Sequence, residues 1–257
     1  MAGSLDHTGA RLFAQYAYSP NKLGYCGPAD SEALLELGAW GSTDADIESI
    51  ARRFSGAWPY LSILAEQAGI ADPLDKRVVR AYWTGGPLLR QVDRSKFGST
   101  LLEFIAGQAG HYWQHLTQEL GSEAVATHGF HVFGVYPWTR MLLGELSTQP
   151  LIVLDSCRVR WGRMIAQDGD HVIARSRGLT WDGRQLGMTA PRQERVRVTI
   201  DGVSFVPGVK RGDWLAMHWD WVCDVLSPVE VTQLRHWTRW QLQATNRRLA
   251  REIGAGR

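Results

Sequence analysis

A change of hydrophobic period at Gln149-Pro150 limits most strongly what this chain can fold into. Before that point apolar residues recur every three to four positions, and after it short apolar runs are separated by glycine-bearing turns. Leu12, Phe13, Tyr16 and Ala17 share one helical face, and the helix is expected to stop near Ser19-Pro20-Asn21. Ser31–Leu37, Tyr60–Ala68 and Leu74–Trp83 read as further helices. Thr43 with Asp46 reads as a capping box ahead of Ile47, Ile50 and Phe54. The clearest apolar stripe lies in Ser99–Leu120, through Leu102, Ile105, Ala109, Trp113, Leu116 and Leu120. A last short helix is expected to end near Leu146.

Beyond the change, Arg158–Ile165, His171–Arg175, Arg195–Ile200, Val203–Val206 and Trp214–Trp219 read as strands. In Arg195–Ile200 the residues Val196, Val198 and Ile200 fall on one face. Asp168-Gly169-Asp170, Trp181–Arg184 and Asp201-Gly202 supply turns, so the spacing suggests a small closed or nearly closed barrel. Ser227-Pro228-Val229-Glu230 combines an N-cap, a proline at the first helical position and a capping-box glutamate, which starts a terminal helix.

The 257 residues are 44% hydrophobic, enough to bury a core. A formal charge of +2 argues for neither nucleic acid nor an anionic membrane as partner. No apolar run approaches the roughly 20 residues that span a bilayer. Met1–His7 lacks a basic-then-apolar signal pattern. Cys26, Cys157 and Cys223 are too few and too widely spaced for a disulfide framework, so a reduced, cytoplasmic protein is expected.

Cys157, read as the start of a strand, is a candidate ligand for iron, copper or zinc. Arg158, Arg160 and Arg163 are expected to favour its thiolate by opposite charge. His218, near the end of a later strand, supplies a nitrogen donor if the two strands are neighbours. Around these residues the sequence resembles a known family. Cys157, Trp161, Gly162, Arg163, Met164 and Ile165 fall in the register of a Cys-x-x-x-Pro-Gly-Lys/Arg-Val-Val block. Gly212, Asp213, Trp214, Leu215, Ala216, Met217, His218, Trp221, Leu226 and Glu230 follow a second block, Gly-Asp-Tyr-Val-Leu-Val-His and beyond. Residues 157–230 therefore resemble the HypC/HupF family of hydrogenase-maturation chaperones. Three departures stand beside the match: Cys157 is internal, Trp161 replaces the proline, and a polar insertion lies around Arg175–Arg195.

The resemblance implies a chaperone rather than an enzyme, with iron as a transient Fe(CN)2CO cargo bound or docked through Cys157 and His218. Its implied partners are the hydrogenase large subunit precursor and other maturation factors, with Trp161, Arg163, Trp219 and Trp221 as docking residues. The combined expectation is α+β: an all-helical domain over 1–150, then a small OB-like β-barrel with a C-terminal helix over 151–257. Cys223 falls at an apolar core position of the family pattern.

The N-terminal half, similar to an uncharacterised helical family, carries a second set of candidates. Cys26 sits in the Gly- and Pro-bearing loop Leu23–Pro28, and His111 and His115 share one helix face at i, i+4. His128 and His131 could complete a cluster with them. This set supports a different reading, a metalloenzyme that makes or modifies an iron ligand. A third reading is a metal-free adaptor that binds another protein through exposed aromatics.

Overall fold

The computed structural model describes residues 8–108, 118–144 and 146–255. It begins with α1 (Thr8–Lys22), whose Leu12, Phe13, Tyr16 and Ala17 are all buried. Pro20 lies inside this helix rather than ending it. The Gly- and Pro-bearing loop leads to α2 (Ser31–Trp40), and α3 (Ile47–Arg52) follows. The cap of α3 is Asp46, whose carboxylate accepts from Ser49 N at 3.0 Å, and not Thr43 as the spacing suggested. Next come α4 (Trp58–Gln67), α5 (Lys76–Thr84), a 3₁₀ turn at Pro87–Gln91 and α6 (Arg94–Gln108). The short helices α7 (Gln118–Gly121) and α8 (His128–Phe130) follow, and α8 continues into a π-helical turn, His131–Val135. After α9 (Trp138–Met141), α10 (Thr148–Cys157) carries the chain across the change of period. Leu151–Leu154 is thus helical, and Cys157 closes a helix instead of opening a strand. The apolar run is long enough for either element, and periodicity alone does not separate them.

Strand β1 (Arg160–Asp168) pairs antiparallel with β2 (His171–Ser176) across the Gly169 turn, with a bulge between Met164 and Ala166. A small hairpin of β3 (Leu179–Trp181) and β4 (Leu186–Met188) occupies the polar insertion, packed on α10 and on α11 (Pro228–Ala255). Strand β5 (Arg192–Arg197) continues from β2, and β6 (Trp214–His218) and β7 (Trp221–Leu226) form the last hairpin. The hydrogen-bonded order β1-β2-β5-β7-β6 returns to β1, so these five strands close into a barrel. One parallel pair, Arg197 with Trp221, joins β5 to β7. Val203–Val206 contributes an isolated bridge between Val203 and Ile200, not a strand.

Helix α11 starts as its sequence requires: Glu230 Oε2 accepts from Ser227 N at 2.7 Å, and Glu230 N donates to Ser227 Oγ at 3.3 Å. Helix α1 packs on α2 and α5 on one side and on β6 and β7 on the other. Phe13, Tyr16 and Tyr82 from the helices and Leu215, Trp221 and Val222 from the barrel belong to one apolar core. Polar links cross the same seam: Ser19 Oγ donates to Asp220 at 2.9 Å, and Arg80 bridges Asp224 and Glu230. The helices therefore meet the barrel over a buried face at the ends of β6 and β7. Among the described residues, no helix is long and apolar enough to cross a membrane.

Candidate metal centre

Four elements bring donors to that seam. Helix α10 ends with Cys157, β6 ends with His218, α8 begins with His128 and the π-helical turn begins with His131. Together with Cys26 they line one cavity of about 70 Å³ between the helices and the barrel. That volume has room for a few occupants of ion or water size and lies well below the size of an ordinary organic-ligand pocket. The described lining includes no Asp, Glu, Lys or Arg. One ring nitrogen each from His128 and His218 and the Cys157 sulfur lie within 4.8 Å of one another. Thiolate and imidazole donors converging in this way suit a soft or borderline transition metal.

The protonation of His218 follows from its partner. Its Nδ1 lies 2.8 Å from the Tyr16 carbonyl, which only accepts, so Nδ1 carries the proton. Burial lowers its pKa to about 4 against the opposing Tyr16 bond, so the ring is neutral near pH 7. Its Nε2 is a bare lone pair, buried and without a hydrogen-bond partner among the described residues. A metal-ligating histidine commonly donates its other N–H to a backbone carbonyl, and His218 is already set in that form.

His128 is also buried, and burial, His218 and His131 together hold its pKa well below the usual value. Its Nε2 lies 2.8 Å from the Cys157 carbonyl and its Nδ1 lies 3.0 Å from the Tyr82 hydroxyl. Coordination by His128 requires one of these bonds to open.

Cys157 is a thiol, not the thiolate that the neighbouring arginines suggested. Burial raises its pKa far above normal, Cys26 adds to the rise, and the Trp219 indole beside it opposes. The arginines are engaged elsewhere: Arg158 with Asp155 and the Arg177 carbonyl, Arg160 with the Trp219 carbonyl at 2.7 Å, and Arg163 with the Gly212 carbonyl. A metal ion would have to displace the thiol proton itself.

At the rim, the Tyr25 ring stacks on Trp219 with centroids 4.0 Å apart. Trp219 has φ +55°, rare for a bulky residue, and is held there by Trp219 N donating to the Ser156 carbonyl at 2.8 Å and by Arg160. Tyr25 is exposed, so this stack lies between the cavity and solvent.

The remaining sequence candidates divide clearly. His111 and His115 lie outside the described residues. His128 and His131 instead join Cys157 and His218, which unites two sets of candidates that were far apart in sequence. Trp221, expected to dock a partner, is 2% exposed and packs edge-on against Tyr18 and Phe205, so it is core. Trp161 is partly buried, whereas the exposed Arg163 lies over the Trp214 ring at 4.8 Å. Cys223 is fully buried. Sequence reading missed Tyr82, Trp83, Tyr136 and Gly56, all of which line the cavity. Only the aromatic density of Tyr82-Trp83 hinted at them, and it does not distinguish a site from a core.

A closed five-stranded barrel clasped by helices over a thiol–imidazole cavity defines the architecture as an α+β protein with a candidate metal centre. The chain belongs to the family described as "Family of unknown function (DUF6390)", which matches residues 5–252. No curated protein and no solved structure matches it.

Proposed function

We propose that this chain is a metal-holding scaffold whose cargo is an iron centre, bound through Cys157 and His218 with His128 as a third donor. The observation that carries the reading is the convergence of these three donor atoms within 4.8 Å at a buried cavity. The bare, unpartnered Nε2 of His218 supports it further. The resemblance to the HypC/HupF chaperones names the cargo as Fe(CN)2CO and the recipient as a hydrogenase large subunit precursor. The barrel is then OB-like, residues 151–257 form the chaperone-like unit and residues 1–150 are its helical partner. Trp161 and Arg163, beside Trp214 and Arg235, offer an Arg–Trp stack of the kind enriched in binding hot spots.

An internal Cys157 has no terminal amine to offer a metal, and His128 from the helical half supplies the missing donor. That gives the helical half a reason to be fused to the barrel. The metalloenzyme reading gains from the same geometry, because Cys26, His128 and His131 all line this cavity. A scaffold is favoured because Cys157 and His218, the two residues that carry the chaperone resemblance, are themselves among the three donors that converge.

Anaerobic purification of the full chain with the large subunit precursor, followed by infrared spectroscopy, tests the proposal. Bound cyanide and carbon monoxide bands that disappear in Cys157→Ala support it. A Cys157→Ala strain with wild-type levels of active hydrogenase overturns the role of the thiol.

A further inference from the structure

A second pair of donors lines the cavity and takes no part in the first cluster. Cys26 sits in the loop between α1 and α2, and His131 opens the π-helical turn. Both meet at Gly56. The Gly56 backbone lies beside the Cys26 thiol, and a Cβ at Gly56 would stand 2.5 Å from His131 Nε2. Gly56 is not among the glycines with positive φ, so its backbone does not require the residue. What glycine provides there is open space in front of a ring nitrogen.

That nitrogen has no hydrogen-bond partner among the described residues, although His131 is only 4% exposed. Its Nδ1 is 3.2 Å from the Tyr60 hydroxyl, which leaves Nε2 as the free donor atom. A buried polar atom without a partner is costly unless something else satisfies it. Burial alone lowers the His131 pKa to about 3, so the ring is neutral near pH 7. In the tautomer whose Nδ1–H donates to the Tyr60 hydroxyl, Nε2 carries the lone pair a ligand needs. Cys26 presents a partly buried thiol to the same cavity, with its pKa raised by burial to about 12. Tyr136 stands beside both sets: its ring is 4.4 Å from that of His131, and both thiols act electrostatically on its hydroxyl. The donors that converge within 4.8 Å include neither Cys26 nor His131, so these two are not extra ligands for the first position.

We propose that Cys26 and His131 form a second ligand pair for a soft or borderline transition-metal ion, so that the cavity takes two ions. The proposal rests on reading this cavity as a metal chamber, and not on the iron cargo or the hydrogenase partner. Ligation forms one metal–sulfur and one metal–nitrogen bond, and the Cys26 thiol proton leaves to solvent; no oxidant or reductant is needed.

Anaerobic titration of the full chain with Co(II) tests it, reading bound cobalt after desalting and the sulfur-to-cobalt charge-transfer absorption. Wild type is expected to hold two equivalents. Cys26→Ser and His131→Gln should each hold one, with about half of the charge transfer lost in Cys26→Ser. Cys157→Ser should also hold one, and the double variant C26S/C157S should show no charge transfer. A single equivalent in wild type, or two equivalents retained in Cys26→Ser, overturns the second pair. Loss of an equivalent in Cys157→Ser but not in Cys26→Ser overturns it while leaving the first centre standing. The opposite pattern supports the second pair and removes the first. Cys26→Ser, a conservative change on a partly exposed loop, keeps the test decisive if His131→Gln fails to fold.

Discussion

His218 Nδ1 lies 2.8 Å from the carbonyl oxygen of Tyr16, which ties the last residue of β6 to the middle of α1 and leaves the other ring nitrogen bare at the cavity. One hydrogen bond therefore does two things. It fastens the barrel to the helices, and it fixes the tautomer that a metal ligand needs. The donor at the seam exists only when both halves are assembled.

The two roles of His218 separate by substitution. Asparagine places a side-chain N–H near the position of Nδ1, so His218→Asn is expected to keep the Tyr16 bond while removing the ligand. Its unfolding free energy should stay within about 1.5 kcal/mol of wild type, whereas His218→Ala should lose about 2–4 kcal/mol from the vacated volume and the orphaned carbonyl. Both should bind metal at least tenfold more weakly. Urea unfolding beside a metal titration reads the two effects.

Acid should destabilise the metal-free protein before its carboxylates titrate. Burial lowers His131 to about 3 and His218 to about 4, while an unfolded chain takes up those protons near pH 6.5. Stability is therefore full above pH 6.5 and falls as pH drops toward the folded values, because the unfolded state then binds more protons. Burial holds His128 low as well, and three such histidines are expected to remove about 3–4 kcal/mol between pH 7 and 5.5. Denaturant midpoints across that interval measure the loss, and the dependence should shrink in His131→Gln. A constant midpoint contradicts neutral buried rings.

Metal binding should release protons. The Cys157 thiol is protonated throughout the neutral range because burial raises it, and a metal binds the thiolate. At the first centre, apparent affinity is expected to rise about tenfold per pH unit from pH 7 to 8.5, with one proton released per ion. Calorimetry in buffers of different ionisation enthalpy counts that proton. Under the two-ion proposal, Cys26→Ser isolates the first centre for this measurement.

Much of the fold is legible in the sequence, but the site is legible only in pieces. The Ser227–Glu230 cap follows from local rules, as the bonds between Ser227 and Glu230 show, whereas β7, which pairs with β6 and closes the barrel, has no strand expectation in the sequence reading. Cys157 was misplaced because Leu151–Leu154 fits a strand or a helix equally well until its length is known. Its charge state was misjudged because sequence proximity to three arginines says nothing about where their guanidinium groups point. His128 and His218 are far apart in the chain, yet their ring centroids are 5.0 Å apart. Only the packing of α1 and α5 on the barrel produces that approach. Gly56 is the hardest case, since its importance lies in a missing atom.

Opening the rim should change rates more than affinity. Tyr25→Ala removes the stack on Trp219 but no donor atom. Removal of bound metal by a chelator is expected to speed up several-fold, with equilibrium affinity within about threefold of wild type. Stopped-flow chelation measures the first and equilibrium competition the second. Unchanged kinetics would show that metal does not pass this rim.

X-ray absorption at the iron edge tests the centre itself. Cys26→Ser protein loaded anaerobically with one equivalent of Fe(II) isolates the three donors of interest. It is predicted to show one sulfur scatterer and imidazole scattering from two histidines, with the sulfur shell absent when Cys157 is also changed to Ser. A spectrum of oxygen and nitrogen scatterers alone, unaffected by Cys157→Ser, would contradict a centre built from His128, Cys157 and His218.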